Sequence, residues 1–399
     1  DEVGNVAKST CCDNNASENA MMEKLMIDSL VTWATAYGVD GFRFDLMGHH
    51  MKSNMEKVQT ALTAIDPTIY VYGEGWNFGD VQDNARGVNA PQINLAGTGI
   101  GTFSDRLRDA VRGGGPFDEG QSMVTNQGFV SGLFYDPNAN NSGSPAEKNE
   151  LLLSADQIRV GLAGNLADYQ LIDRNGNLVT GAQIDYNGAP AGYTQDPQEN
   201  IIYVGAHDNQ TIWDISAYKH AAAVSMADRV RAQNLALDFA ILAQGVPFIH
   251  AGDELLRSKS FDRDSYNSGD WFNRLDLSYQ TNNWGVGLPP KEKNQSAWSI
   301  MQPLLANPAL KPAPADITRS FQHIVEMLQI RQSTPLLRLQ SEADIVGRLA
   351  FHNTGPNQIP GLIAMTISDD VTGLPDLDIP RKRVAVIFNA SDVAQTLIV

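Results

Sequence analysis

An amphipathic helix followed within a few residues by an apolar strand, twice in succession, is the feature that most limits what this chain can fold into. Residues 17–37 place Met22, Met26, Leu30, Trp33 and Tyr37 on one helical face, with Glu18 in the first turn and Gly38 able to turn left-handed past the end. A strand is expected over residues 41–45, a second helix over 55–65 closed by Asp66-Pro67, and a second strand over 68–73. Connections this short between helix and strand call for parallel strands in one sheet, crossed over by helices. The alternation fades over residues 79–197, where "GGGPFDEG" and "DPNANNSGSP" read as loops and only residues 104–112 look amphipathic. It returns as a strand at 201–205, a helix at 227–243, a strand at 246–250, a polar insertion at 258–290 and a helix at 317–333. Three further strands, at 344–352, 361–367 and 382–389, are separated by turns and read as a small antiparallel domain.

Three of the strands end on acids: Gly41-Phe42-Arg43-Phe44-Asp45, Val71-Tyr72-Gly73-Glu74-Gly75-Trp76 and Tyr203-Val204-Gly205-Ala206-His207-Asp208-Asn209. A carboxylate beside an apolar run is costly unless it is paired or used, so a series of three points to chemistry. An Arg–Asp pair, a lone Glu and a His–Asp pair supply what a retaining glycosidase needs. The reaction takes a nucleophile, an acid/base that must hold a proton when the nucleophile holds none, and a third acid that helps bind the sugar and its transition state. Arg43 shares the face of Asp45, because side chains alternate along a strand, and a guanidinium there holds the carboxylate ionised and oriented. A buried structural Arg–Asp pair is the plain alternative. Trp76 offers an apolar face to a sugar.

Order and surroundings together resemble the α-amylase superfamily, glycoside hydrolase family 13. "GFRFDLMGHH", "GEGW" and "AHDNQTIWD" are most similar to its pullulanase branch, the type I debranching enzymes. The resemblance implies a (β/α)8 TIM barrel of which this chain holds the later strands, followed by a small antiparallel β-sandwich. Residues 1–338 would be the barrel part and 339–399 the sandwich. The upstream part of the same protein would then be needed to close the barrel, and residues 1–399 alone should aggregate or fold loosely. It further implies Asp45 as nucleophile, Glu74 as acid/base and Asp208 as the third acid, with His207 and Asn209 on the same sugar. His49 and His50 either line the cleft or cap a loop. Asp105 and Arg108 form either a helix-surface ion pair or part of the cleft, and Asp264 and Tyr266 lie on the loop after the last barrel strand, where they take a substrate role in preference to bracing the loop.

The implied substrate is an α-glucan: pullulan, starch or a branched dextrin, cut at α-1,6 bonds. Alternatives are an α-1,4-acting amylase, an isoamylase-type debrancher, or a non-catalytic glucan-binding barrel. No cofactor is required. Asp168, Asp173 and Asp185 with neighbouring asparagines could bind calcium, although no spacing matches a known loop. The adjacent Cys11-Cys12 are either two loop thiols or, as the resemblance implies, a vicinal disulfide in a secreted protein. With 29 basic and 46 acidic residues, the net charge of −17 argues against a nucleic-acid partner. No apolar run reaches the length of about 18 residues that a membrane span needs. An extracellular, cell-surface or periplasmic location follows from the resemblance alone.

Overall fold

The computed structural model describes residues 5, 6, 8 and 13–397. The chain divides into two compact units, residues 1–103 with 193–201, and residues 104–192 with 202–399.

The first unit holds the expected alternation. Helix Ala20–Tyr37 ends at Gly38, whose φ of 67° is the left-handed turn. Strand Gly41–Phe44, helix Lys52–Thr63 and strand Tyr70–Gly73 follow. The two strands pair in parallel from Gly41↔Tyr70 to Phe44↔Gly73, and Tyr72↔Gly101 and Thr102↔Asn200 extend the sheet. Both helices cover it through Met26, Met47, Met55, Val58, Leu62, Ile69 and Val71. Gly73 is required by proximity: a Cβ there would lie 2.5 Å from the Phe44 carbonyl oxygen. The helical stripe differs from expectation at one end. Met26 and Ala34 are buried, whereas Trp33 and Tyr37 stay exposed, their rings tilted together 4.7 Å apart.

The second unit is dominated by helices Pro145–Leu162, Met226–Ile241 and Pro314–Gln332. The first corrects the loop expectation for residues 79–197. Its apolar periodicity is hidden because Leu151, Leu152 and every residue from Ser154 to Leu162 are buried, so no polar face marks the turn of the helix. Its start is nonetheless encoded: Ser144 Oγ accepts from the Glu147 amide at 3.2 Å, Glu147 accepts from the Ser144 amide at 2.6 Å, and Pro145 opens the first turn.

Two more expectations need correcting. Residues 344–352 are not one strand: helix Glu342–Arg348 runs first, capped by Ser341, and strand Leu349–His352 follows. The strand at 246–250 shrinks to Val246–Pro247. Of the expected terminal domain, the described residues hold one three-stranded antiparallel sheet, formed from Leu349–His352, Leu362–Ser368 and Arg383–Asn389. It has no core of its own. Ile363, Met365, Ile367 and Phe388 join one cluster with Leu107, Ile158 and Phe239, and the Phe239 and Phe388 rings stack at 4.3 Å. No sheet closes into a barrel among the described residues.

Candidate active site

Strand Gly41–Phe44 delivers Arg43 and then Asp45, and strand Tyr70–Gly73 delivers Glu74 beside them, because the two strands pair in parallel with their carboxyl ends level. Arg43 bridges both acids. One terminal nitrogen donates to Asp45 Oδ1 at 2.5 Å and the other to Glu74 Oε1 at 2.8 Å. The second Glu74 oxygen accepts from the Leu46 amide at 2.9 Å. Leu46 turns that amide toward Glu74 by holding φ at 48°, a left-handed conformation unusual for leucine. The Arg43 guanidinium also stands 5.6 Å from the Phe103 ring centre. The acids differ in access: the Asp45 side chain is 67% exposed and that of Glu74 is 11% exposed. One guanidinium therefore fixes an open carboxylate and a sheltered one side by side.

The loop beyond Glu74 packs closely under this pair. A Cβ on Gly48 would sit 2.1 Å from the Trp76 carbonyl oxygen, and the Gly48 amide donates to the Glu74 carbonyl at 2.8 Å. Trp76 is half-buried. His49 lies edge-on to Phe78 at 4.7 Å, and burial lowers its pKa. His50 hydrogen-bonds Ser17 through Nδ1 at 2.8 Å, and burial pulls its pKa down to about 4. That contact makes His50 a neutral brace between the loop and the turn that precedes the first helix.

In the second unit His207 and Asp208 are exposed, with His207 Nε2 3.6 Å from Asp208 Oδ1. Asn209 follows with φ of 60°. Thr211 then caps helix Ile212–Lys219 by accepting from the Asp214 amide. Asp105 and Arg108 each take a sequence neighbour as ion-pair partner. Arg108 is buried and donates to Asp109 at 2.7 Å and to the Tyr203 hydroxyl at 2.5 Å, while Asp105 pairs with Arg106. Helical position favours i+3, but here the buried tyrosine decides where Arg108 points. Asp264 forms an ion pair with Lys293 at 3.2 Å, and Tyr266 is 77% exposed.

Sequence reasoning missed Leu46, whose contribution is an amide that no side-chain pattern marks. It also missed Lys259, a fully buried lysine whose Nζ donates to the His207 carbonyl at 2.9 Å. Only its place in the polar "LLRSKSFD" run could have drawn notice. Among the calcium candidates, Asp173 accepts from the amides of Asn175 and Asn177 in its own turn, and Asp185 from that of Gly188. No cluster of three or more His, Cys, Asp or Glu side chains suited to a metal is found among the described residues. Cys11 and Cys12 lie outside the described residues. No helix among the described residues is long and apolar enough to cross a membrane.

Residues 279–399 match the family model for alpha-1,6-glucosidases, pullulanase-type, C-terminal. "Pullulanase 1, chloroplastic" of Arabidopsis thaliana is 47% identical over 400 residues, covering 97% of this chain and 41% of that protein. The pullulanase of Klebsiella pneumoniae is 45% identical over 395 residues, covering 99% of this chain and 36% of that protein. The chain thus spans about two fifths of the length of these relatives. The crystal structure of the Klebsiella pneumoniae enzyme in complex with maltotriose superposes with a TM-score of 0.93 at 45% identity, over 97% of this chain and 41% of that one. Likeness over 97–99% of this chain shows that the chain belongs to the pullulanase family.

Proposed function

We propose that the protein containing this chain is a retaining debranching glucosidase that hydrolyses α-1,6 bonds in pullulan, starch and glycogen-derived dextrins. The observation that carries this reading is the Arg43 bridge between an exposed Asp45 and a sheltered Glu74. Retention needs two carboxyl groups about 5–5.5 Å apart, one free to attack a sugar and the other able to exchange a proton. A single guanidinium hydrogen-bonded to both acids holds them as neighbours, as this reading requires. Asp45 attacks the anomeric carbon and forms a covalent glycosyl ester, while Glu74 gives its proton to the departing glycosidic oxygen. Glu74 then takes a proton from water, which attacks the ester and frees Asp45. Both Glu74 oxygens accept hydrogen bonds in the resting arrangement, so an arriving glycosidic oxygen replaces one of them when the acid is protonated.

Asp208 is the third acid in this reading, with His207 and Asn209 on the same sugar and Trp76 as an apolar wall. The barrel is completed by parts of the protein beyond this chain. The chemistry runs on side chains alone, and a location outside the cell suits a polymeric substrate. The test is product analysis with the whole protein on pullulan. Release of fragments that keep every α-1,4 bond and lose only α-1,6 bonds is expected. Cleavage of α-1,4 bonds would make the enzyme an amylase and overturn the debranching assignment.

A further inference from the structure

Lys259 is one of the buried cations that the reaction written above leaves unused. Lys259 is 1% exposed, yet its Nζ reaches the backbone carbonyl of His207 at 2.9 Å, immediately before Asp208 in the chain. The segment that carries it is anchored on Asp214, itself fully buried. Asp214 Oδ1 accepts from Ser258 Oγ at 2.5 Å, and Oδ2 accepts from the amides of Lys259 at 2.8 Å and Phe261 at 3.1 Å. Asp214 stands in the first turn of helix Ile212–Lys219, which starts just after the His207-Asp208-Asn209 run. The anchor therefore ties the near end of that run to the helix that follows it.

The shape of the segment is held at a cost. Leu256, Ser260 and Phe261 have φ of 58°, 51° and 69°, left-handed values at three non-glycine positions. Phe261, fully buried between Tyr218 and Trp284, keeps it there. An ammonium group is buried at high cost, and a core that needed only volume would be served by methionine. Burial lowers the Lys259 pKa, and the charges of Asp214, Asp262 and Asp208 oppose that fall.

We propose that Lys259 is a positioning residue for Asp208: its Nζ fixes the His207 carbonyl, so the carboxylate one residue later is presented in one orientation. This rests on reading Asp208 as the third acid. A carboxylate needed most in the transition state loses rate, and little ground-state binding, when it is free to wander.

The experiment uses the whole protein with Lys259→Met, Lys259→Arg and Ser258→Ala, reading kcat and KM on pullulan and amide hydrogen exchange across residues 203–211. For Lys259→Met, kcat should fall about 30- to 100-fold with KM changed less than about threefold. Amides 207–210 should exchange at least about tenfold faster while helix Met226–Ile241 stays protected. Lys259→Arg should recover part of kcat. A Lys259→Met enzyme with kcat within about twofold of its parent, however far its melting temperature drops, overturns the proposal and leaves Lys259 a core brace. Should that variant not fold, Ser258→Ala loosens the anchor without emptying the lysine's slot. It should show the same exchange change and about a fivefold loss of kcat, and parental values in both overturn the proposal. If the parent itself leaves pullulan intact, the functional reading falls. The clamp then stands on faster exchange at 207–210 in the variants and falls if exchange there is unchanged.

Discussion

Two arginine–carboxylate groups in this molecule share their chemistry and differ in what surrounds them. Arg43 joins Asp45 and Glu74 in the first unit, and Arg159 joins Asp156 in the second at 2.7 Å. Both Arg159 and Asp156 side chains are 0% exposed, and apart from Arg159 Nε their polar side-chain atoms are all hydrogen-bonded. Arg159 donates to the Asn353 carbonyl and to Gln358, and Asp156 accepts from the Arg174 amide. Asp45, by contrast, keeps two thirds of its side chain open. A pair closed on itself is structure. A pair with one face left toward solvent has capacity to bind or react, and exposure distinguishes the two where residue type cannot.

The widest separation should come from removing a single carboxylate charge at the open group. Asp45→Asn in the whole protein should cut turnover on pullulan by at least about 10⁴-fold while shifting the melting temperature by no more than about 2 °C. A large thermal shift with activity retained would mean that this group, too, is only structural. At the closed group the outcome reverses. Arg159→Met strands the fully buried Asp156, so stability should drop by about 3–5 kcal/mol in chemical denaturation, with kcat per folded molecule unchanged. Next in size is Arg43→Lys. An ammonium cannot span two carboxylates as the planar fork does, so kcat should fall about 10²-fold without loss of fold.

The smallest effect is one of pH, and it tests the brace beside the open group. His50 has a folded pKa of about 4, below its ordinary value, so the unfolded chain takes up a proton first on acidification. Its contribution to stability is intact above about pH 6.5 and is lost progressively as the pH falls toward 4, by about 2 kcal/mol at pH 4.5. Denaturation midpoints at pH 7 and pH 4.5 should differ less in His50→Gln than in the parent. An equal difference in both would take His50 out of the acid response.

What could be read beforehand follows the range of the interactions involved. The alternation of helix and strand and the three acids were visible because each depends on neighbours within a few residues. Arg43 and Asp45 are two positions apart, and Gly38 closes its helix locally. Helix Pro145–Leu162 reads as loop because burial on every face from Ser154 to Leu162 removes the apolar–polar contrast there, although its Ser144–Glu147 capping box is present in the sequence. Lys259 escaped notice because its partner lies 52 residues away and is a main-chain oxygen, which carries no residue identity. Helical spacing offers Asp105 to Arg108 as one of two readings, whereas its hydrogen bonds run to the adjacent Asp109 and to Tyr203, 95 residues distant.

The terminal sheet, finally, is not a portable module. Arg159 rests on Asn353 and Gln358, the Tyr169 hydroxyl donates to the Leu349 carbonyl, Gln244 bonds both Leu336 and Leu339, and Phe239 lies against Phe388. A chimera joined at residue 338 would pair one parent's guanidinium with another parent's carbonyls. Exchange between homologues is therefore a matter of inheriting both halves of each contact, so this terminal segment and the helices beneath it are constrained to change as one lineage.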